Sequence, residues 1–296
     1  MYAEKGARPE EINQGAGHVL FVEGENENST DYVFMDLFFK GKSIKTEILG
    51  PSYHHKSTAQ ALSKIHPSYY FIVDRDHQSS ADIEESWRNF PDPNTSNILI
   101  WRKREIENYF LIPEYLASSS FLKKGCSVSY LKDAIIKAAG KRVFFDAANI
   151  AIIEIREILK QEWIKLFSNP SDFKNKDDAI RLLKEKPEFE KQKNKTYKSL
   201  SETNIEKRFF HIVDLMFGGE EKLKFGKGEW FDLVSGKETL NDVVGKCFRV
   251  RGTDGRIMQG KERLIEIVKD LARKPLEEQP DDFQQLFKLI ENRINT

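Results

Sequence analysis

The sequence predicts an α/β protein: a parallel-sheet core with helices on both faces, followed by a mainly helical C-terminal part. Three observations predict it. His18-Val-Leu-Phe-Val-Glu-Gly24 and Tyr69-Tyr-Phe-Ile-Val-Asp-Arg-Asp76 are short apolar runs that stop abruptly at carboxylates. Rich in β-branched and aromatic residues, they read as buried parallel strands. A helix-patterned stretch follows each, giving a β-α-β-α order. Beyond about residue 125, apolar residues recur at spacings of three and four, the helical period.

The elements follow in order. Residues 1–17 read as a polar arm, and strand one covers 18–23. Gly24-Glu-Asn-Glu-Asn-Ser-Thr30 is a polar turn whose Ser29 or Thr30 caps a helix carrying Tyr32, Val33, Met35, Leu37 and Phe38. Ile44, Thr46 and Ile48 alternate as a second strand over 43–49. A helix is expected over 56–65, a strand over 69–74, a helix over 81–90 and a strand over 97–102. Pro113 suits a first helical position. Helices are then expected over 128–140, 147–167, 177–184, 260–272 and 281–294. The Lys-rich stretch 184–198 reads as a long loop or a solvated helix, and 209–217 is ambiguous. These elements suggest a catalytic domain over 18–120 and a helical domain over 121–296.

Composition bounds the rest. Lys plus Arg equals Asp plus Glu, 47 each, which argues against a generally basic nucleic-acid coat. The two cysteines, Cys126 and Cys247, lack metal-type spacing and suit a reducing cytoplasm. The polar start has no apolar core of a signal peptide, and no apolar run approaches a membrane span. No phosphate loop of the Gly-x-x-x-x-Gly-Lys-Ser/Thr type occurs, so ATP hydrolysis would belong to a partner.

The chemistry lies where the two strands end. In parallel sheets of this kind ligands bind beyond the carboxyl ends of the strands. Glu23, Asp74 and Asp76 are delivered to that edge together. Like charges so placed force protonation unless a cation neutralises them. Mg²⁺ or Mn²⁺ fits, preferring carboxylate oxygen and water. Asp74 and Asp76, one residue apart in an extended segment, share a face about 7 Å apart. The competing reading makes Glu23 a helix cap and the Asp-Arg-Asp a simple turn. Basic residues cluster at Arg102, Lys103 and Arg104 and again at 174–198, where they suit a phosphate backbone or else are plain solvated faces, the reading sequence alone favours for most of them. Trp101 and Tyr109 are candidates for stacking on bases, or else plain core aromatics. His54, His55 and His77 read as loop surface.

A Glu-Gly closing the first strand and an Asp-x-Asp closing a later one resemble the Toprim domain of topoisomerases, primases and several nucleases. The segment Trp101-Arg-Lys-Arg-Glu-Ile-Glu-Asn-Tyr-Phe-Leu-Ile-Pro113 is similar to the nuclease Toprim domains of the OLD group. It is closest to the stand-alone effectors of PARIS-type anti-phage systems, which work beside an ABC-type ATPase. The motifs cover about 18–113, with a short echo at Leu233-Val-Ser-Gly-Lys-Glu238.

The resemblance implies a metal-dependent nuclease with Glu23, Asp74 and Asp76 as metal ligands and catalytic acids. It adds Glu107 as a further ligand and Lys237 as the charge that stabilises the phosphate in the transition state. It leaves open which acid of the stretched turn, Glu27 or Asp31, reaches the metal. It also implies tRNA as the favoured substrate with DNA as the alternative, an ABC-type ATPase partner and a homodimer when active; a membrane partner is not expected, for want of an apolar run. From a different class stands a non-cleaving, Mg²⁺-dependent sensor of nucleotides or nucleic-acid ends. A primase or topoisomerase-like domain fits less well, since no Cys-based zinc module is present.

Overall fold

A computed structural model describes residues 17–50, 58–59, 61–62, 66–75, 78–92, 97–160 and 175–295. Asp76, His54, His55 and His77, the arm up to residue 16 and the stretch 161–167 lie outside the described residues. So does much of the helix expected over 56–65.

The α/β class holds. Four strands, β1 (His18–Glu23), β2 (Ile44–Gly50), β3 (Tyr69–Val73) and β4 (Ile98–Ile100), form an all-parallel sheet in the order β2-β1-β3-β4. Their side chains alternate between two apolar clusters, as a period of two requires. Val19, Phe21, Tyr69, Phe71 and Ile98 pack on one face with Ala59 and Leu62. Leu20, Val22, Tyr70, Ile72 and Leu99 pack on the other. With both faces covered, the strands read as continuous apolar runs.

Helix α1 (Thr30–Phe38) follows β1, and α2 (Ser80–Asn89) follows β3. A reciprocal capping box fixes the start of α2: Asp82 N–H donates to Ser79 Oγ at 3.1 Å, and Ser79 N–H to Asp82 Oδ2 at 3.3 Å. Two short helices after β4, α3 (Ile106–Phe110) and α4 (Pro113–Ala117), turn the chain away from the sheet.

Beyond them come α5 (Val128–Gly140), α6 (Val143–Lys160), α7 (Lys176–Lys184), α8 (Pro187–Ser199) and α9 (Glu202–Phe217). The Lys-rich stretch is therefore the solvated helix α8, and the ambiguous 209–217 is the end of α9. Helix α6 begins four residues before the expected 147, and Phe144 and Phe145 stand exposed on it. The short α10 (Trp230–Leu233) and α11 (Gly236–Cys247) were not expected from periodicity. Helices α12 (Gly260–Ala272) and α13 (Asp281–Ile294) match the sequence reading.

The larger cluster runs from Leu20 to Ile290, across residue 120. Its centre is Phe283 of α13, wholly buried. Its ring lies 4.5 Å from Phe34, 4.8 Å from Tyr109 and 5.5 Å from Trp101, centroid to centroid. Burying one such ring stabilises the fold by about 3 kcal/mol. So Trp101 and Tyr109, read as possible base-stacking residues, are core aromatics with 0% and 1% exposure. Among the described residues no helix is long and apolar enough to cross a membrane.

Candidate metal centre

Register brings the first two acids together. Phe21 of β1 pairs with Phe71 of β3, so two residues further on Glu23 stands beside the end of β3. There the Asp74 N–H donates to Glu23 Oε1 at 3.1 Å. Gly24 then lets the chain turn tightly: a Cβ on it would lie 2.3 Å from Ser29 Oγ. The turn closes with Ser29 N–H donating to Asn26 O at 2.9 Å, and α1 starts directly above the strand ends.

Within that turn the two acids stand differently. Asp31, in the first turn of α1, faces the acids: Glu107, Glu23 and Glu105 all act on its charge. Glu27 is exposed on the turn. Helix α3 supplies Glu107, which is 6% exposed and accepts a hydrogen bond from the Thr30 hydroxyl. Glu105, at the N-cap of α3, lies beside it.

The electrostatics follow from this crowding. Burial, then the charges of Asp31, Glu23, Glu107 and Glu105, push the Asp74 carboxyl well above the ordinary carboxylate range. Burial and the same neighbours raise Asp31 similarly. Burial and Glu105 raise Glu107 to about 6, against the pull of Thr30 and Lys237. Each shift reflects the cost of holding like charges together away from water. Although Asp74 as a residue keeps some exposure, its Oδ1 is fully enclosed and has no hydrogen-bond partner. An enclosed, unpartnered carboxylate oxygen among acids is a position a cation would satisfy.

The donor set is all oxygen, which suits Mg²⁺ or Mn²⁺ over zinc. Among the described residues no group of three or more His, Cys, Asp or Glu side chains is placed to hold a metal ion as the chain stands. Mg²⁺ does not require one, since it commonly keeps several waters and takes one or two protein carboxylates. Asp74, Glu23, Asp31 and Glu107 are the residues that would hold it. Asp76 lies outside the described residues.

The late echo Leu233–Glu238 folds back onto this edge. The Lys237 N–H donates to Glu105 Oε2 at 2.8 Å, and Ser235 Oγ to the same oxygen at 3.3 Å. Asn108 Nδ2 donates to Phe231 O at 2.9 Å and to Val234 O at 3.0 Å. Gly236, the first residue of α11, touches Asn108: a Cβ there would lie 2.3 Å from its Oδ1 and 2.5 Å from its backbone N. Gly236→Ala is therefore expected to cost about 1–3 kcal/mol through overpacking, read in a urea melt. A loss under a few tenths would show that the turn yields freely. The exposed Lys237 side chain lies close enough for its charge to lower Glu107.

Asp146 of α6 fastens this arrangement from below, and the sequence reading missed it. It is 0% exposed. It accepts from Arg104 Nη1 at 3.2 Å and from Ser235 N–H at 3.2 Å, and its Oδ2 lies 3.4 Å from Arg142 Nε. Arg104 also donates to Leu233 O at 2.9 Å. The signal was a single acid between Phe145 and Ala147, in an otherwise apolar run.

The basic cluster is committed inside the chain. Arg102 lies over the Trp87 ring at 4.1 Å and pairs with Glu84 at 2.9 Å and Asp282 at 2.6 Å. Lys103 pairs with Asp232 at 2.7 Å. Arg104 serves Asp146. These three side chains tie sheet, α10 and α13 together, whatever else they touch. Neither a protein-family model nor a curated sequence matches this chain.

Proposed function

We propose that the chain is a metal-dependent phosphodiester hydrolase acting on nucleic acid, a nuclease of the Toprim type. The observation that carries this reading is the acid cluster at the carboxyl edge of the parallel sheet, with the Asp74 Oδ1 enclosed and unpartnered. When bound, Mg²⁺ or Mn²⁺ supplies a Lewis acid for the phosphate and lowers the pKa of an attacking water. Asp74, Glu23 and Asp31 hold and orient that charge. Glu107, raised to about 6 by burial and Glu105 when no cation is present, would complete that carboxylate set. The exposed Lys237 offsets the negative charge that builds on the phosphate.

The substrate class and biological setting rest on the motif resemblance alone. It favours tRNA over DNA, a toxic effector role in anti-phage defence, control by an ABC-type ATPase, and self-association when active. One observation favours the non-cleaving sensor instead. Arg102, Lys103 and Arg104 are spent on internal ion pairs, which leaves less positive surface at the rim for a polymer.

Cleavage of total tRNA and of plasmid DNA by the purified chain separates the two. Reactions run with Mg²⁺ or Mn²⁺, with EDTA as control, and with Glu23→Gln alongside, alone and with the co-expressed ATPase. The nuclease reading expects cutting of one substrate, lost with EDTA and in the variant. Binding of nucleic acid or nucleotide without cutting in any arm would leave the sensor.

A further inference from the structure

The two cysteines meet at the end of α11 away from the acids. Phe121 to Cys126 runs against Lys246 to Arg249: Leu122 and Phe248 form an antiparallel bridge, the Lys123 N–H donates to Cys247 O at 2.9 Å, and the Arg249 N–H donates to Phe121 O at 2.9 Å. The Cys126 N–H then donates to Lys123 O at 3.1 Å, which turns the chain back over Cys247. Cys126 packs against the buried cluster that holds Cys247, and both thiols are free. Cys126 is partly exposed and Cys247 is 0% exposed.

We propose that this pair is a site of reversible oxidation, forming an intramolecular Cys126–Cys247 disulfide by exchange with a low-molecular-weight disulfide such as oxidised glutathione. The exposed and buried members have distinct parts. The Cys126 thiolate attacks one sulfur of the small disulfide, and a glutathione thiolate leaves. Cys247 then gives up its proton, attacks the Cys126 sulfur and displaces the second glutathione, which takes that proton. Two protein thiols are oxidised and one small disulfide is reduced to two thiols, so the step balances.

Burial and the Cys126 thiol push Cys247 up to about 11, against the charges of Lys123 and Lys246. It therefore reacts second, with the sulfur already beside it. The cross-link ties the segment before α5 to the end of α11 and closes a loop of roughly 120 residues. Closing so long a loop restricts the unfolded chain strongly. The inference does not depend on the nuclease reading.

The test is incubation of the full chain in a buffer of reduced and oxidised glutathione, read by intact mass, non-reducing electrophoresis and thermal melting. The expected product is a monomer lighter by about 2 Da, the two hydrogens lost, with a higher Tm, and dithiothreitol reverses both. Cys247→Ala should instead trap a stable glutathione adduct on Cys126. Cys126→Ser, at the partly exposed position, should show neither the mass loss nor the adduct, and it serves if Cys247→Ala fails to fold. A lasting glutathione adduct on the unaltered chain, disulfide-linked dimers, or an unchanged mass would each overturn the proposal.

Discussion

Asp74→Asn is expected to make the metal-free protein more stable at pH 7.5 while abolishing its response to Mg²⁺. The two effects have one cause. Ionised Asp74 sits among Asp31, Glu23, Glu107 and Glu105, and its carboxyl is held well above its ordinary range. A neutral side chain of the same shape removes that repulsion, for a gain on the order of 1 kcal/mol, or about 2–4 °C in Tm. It also removes the oxygen charge that a cation would take. If the chain cuts nucleic acid, the loss of cutting should exceed about a hundredfold, the upper range seen even for residues behind a metal ligand.

The pH dependence follows the same sign. Glu107 moves from 4.5 in the unfolded chain to about 6 in the folded one. Between those values the folded state binds more protons, so the contribution of Glu107 to metal-free stability is full below pH 4.5 and is lost as pH rises through about 6. The shift corresponds to about 2 kcal/mol. Asp31 and Asp74, also raised, add to the fall. Mg²⁺ takes the ionised form, so its stabilising effect should be small at pH 5 and large at pH 7.5. A melting series with and without MgCl₂ at both pH values reads this directly. An equal Mg²⁺ effect at both, kept in Asp74→Asn, would show that the acids are not a metal centre.

Asp146→Ala should cost about 3–5 kcal/mol, the penalty for removing one partner of a buried ion pair. Arg104 and Arg142 would lose their shared carboxylate, and the Ser235 N–H would lose its acceptor. Because the turn bearing Ser235 and Lys237 lies against Glu105, loosening it should also disturb the acidic edge. Asp146→Asn keeps an acceptor for the Ser235 N–H and should cost less. Urea unfolding of both variants is the check. A loss below about 1 kcal/mol in Asp146→Ala would mean that the arginines find other partners.

The strand ends were legible because their signal is local. An apolar run needs only its own side chains to declare a buried strand, and a carboxylate at its end marks the ligand-binding edge of a parallel sheet. Glu23 and Asp74 were found that way, and their neighbourhood follows from β1 pairing with β3. Motif resemblance singled out Glu107 and Lys237, which fold to the same edge.

Other features depend on contacts far apart in sequence. Glu27 and Asp31 were indistinguishable until the turn was closed, because only its geometry decides which acid faces inward. Arg102, Lys103 and Arg104 stand out in sequence as a basic cluster, but a sequence shows a charge and not its partner. Asp282 lies 180 positions from Arg102. The same holds for Asp146 and for the turn at Ser235–Lys237.

By itself the sequence determined the class of fold, the alternation that buries both sheet faces, and the strand ends at which acids gather. Each of these is set by side chains within a few residues of one another. Only the tertiary structure decided which acids share an enclosed space, which cations are already neutralised, and that the two cysteines pack into one cluster. Burial and charge pairing are sums over neighbours, and the partners of the three cations include Asp146, Asp232 and Asp282, all beyond residue 120.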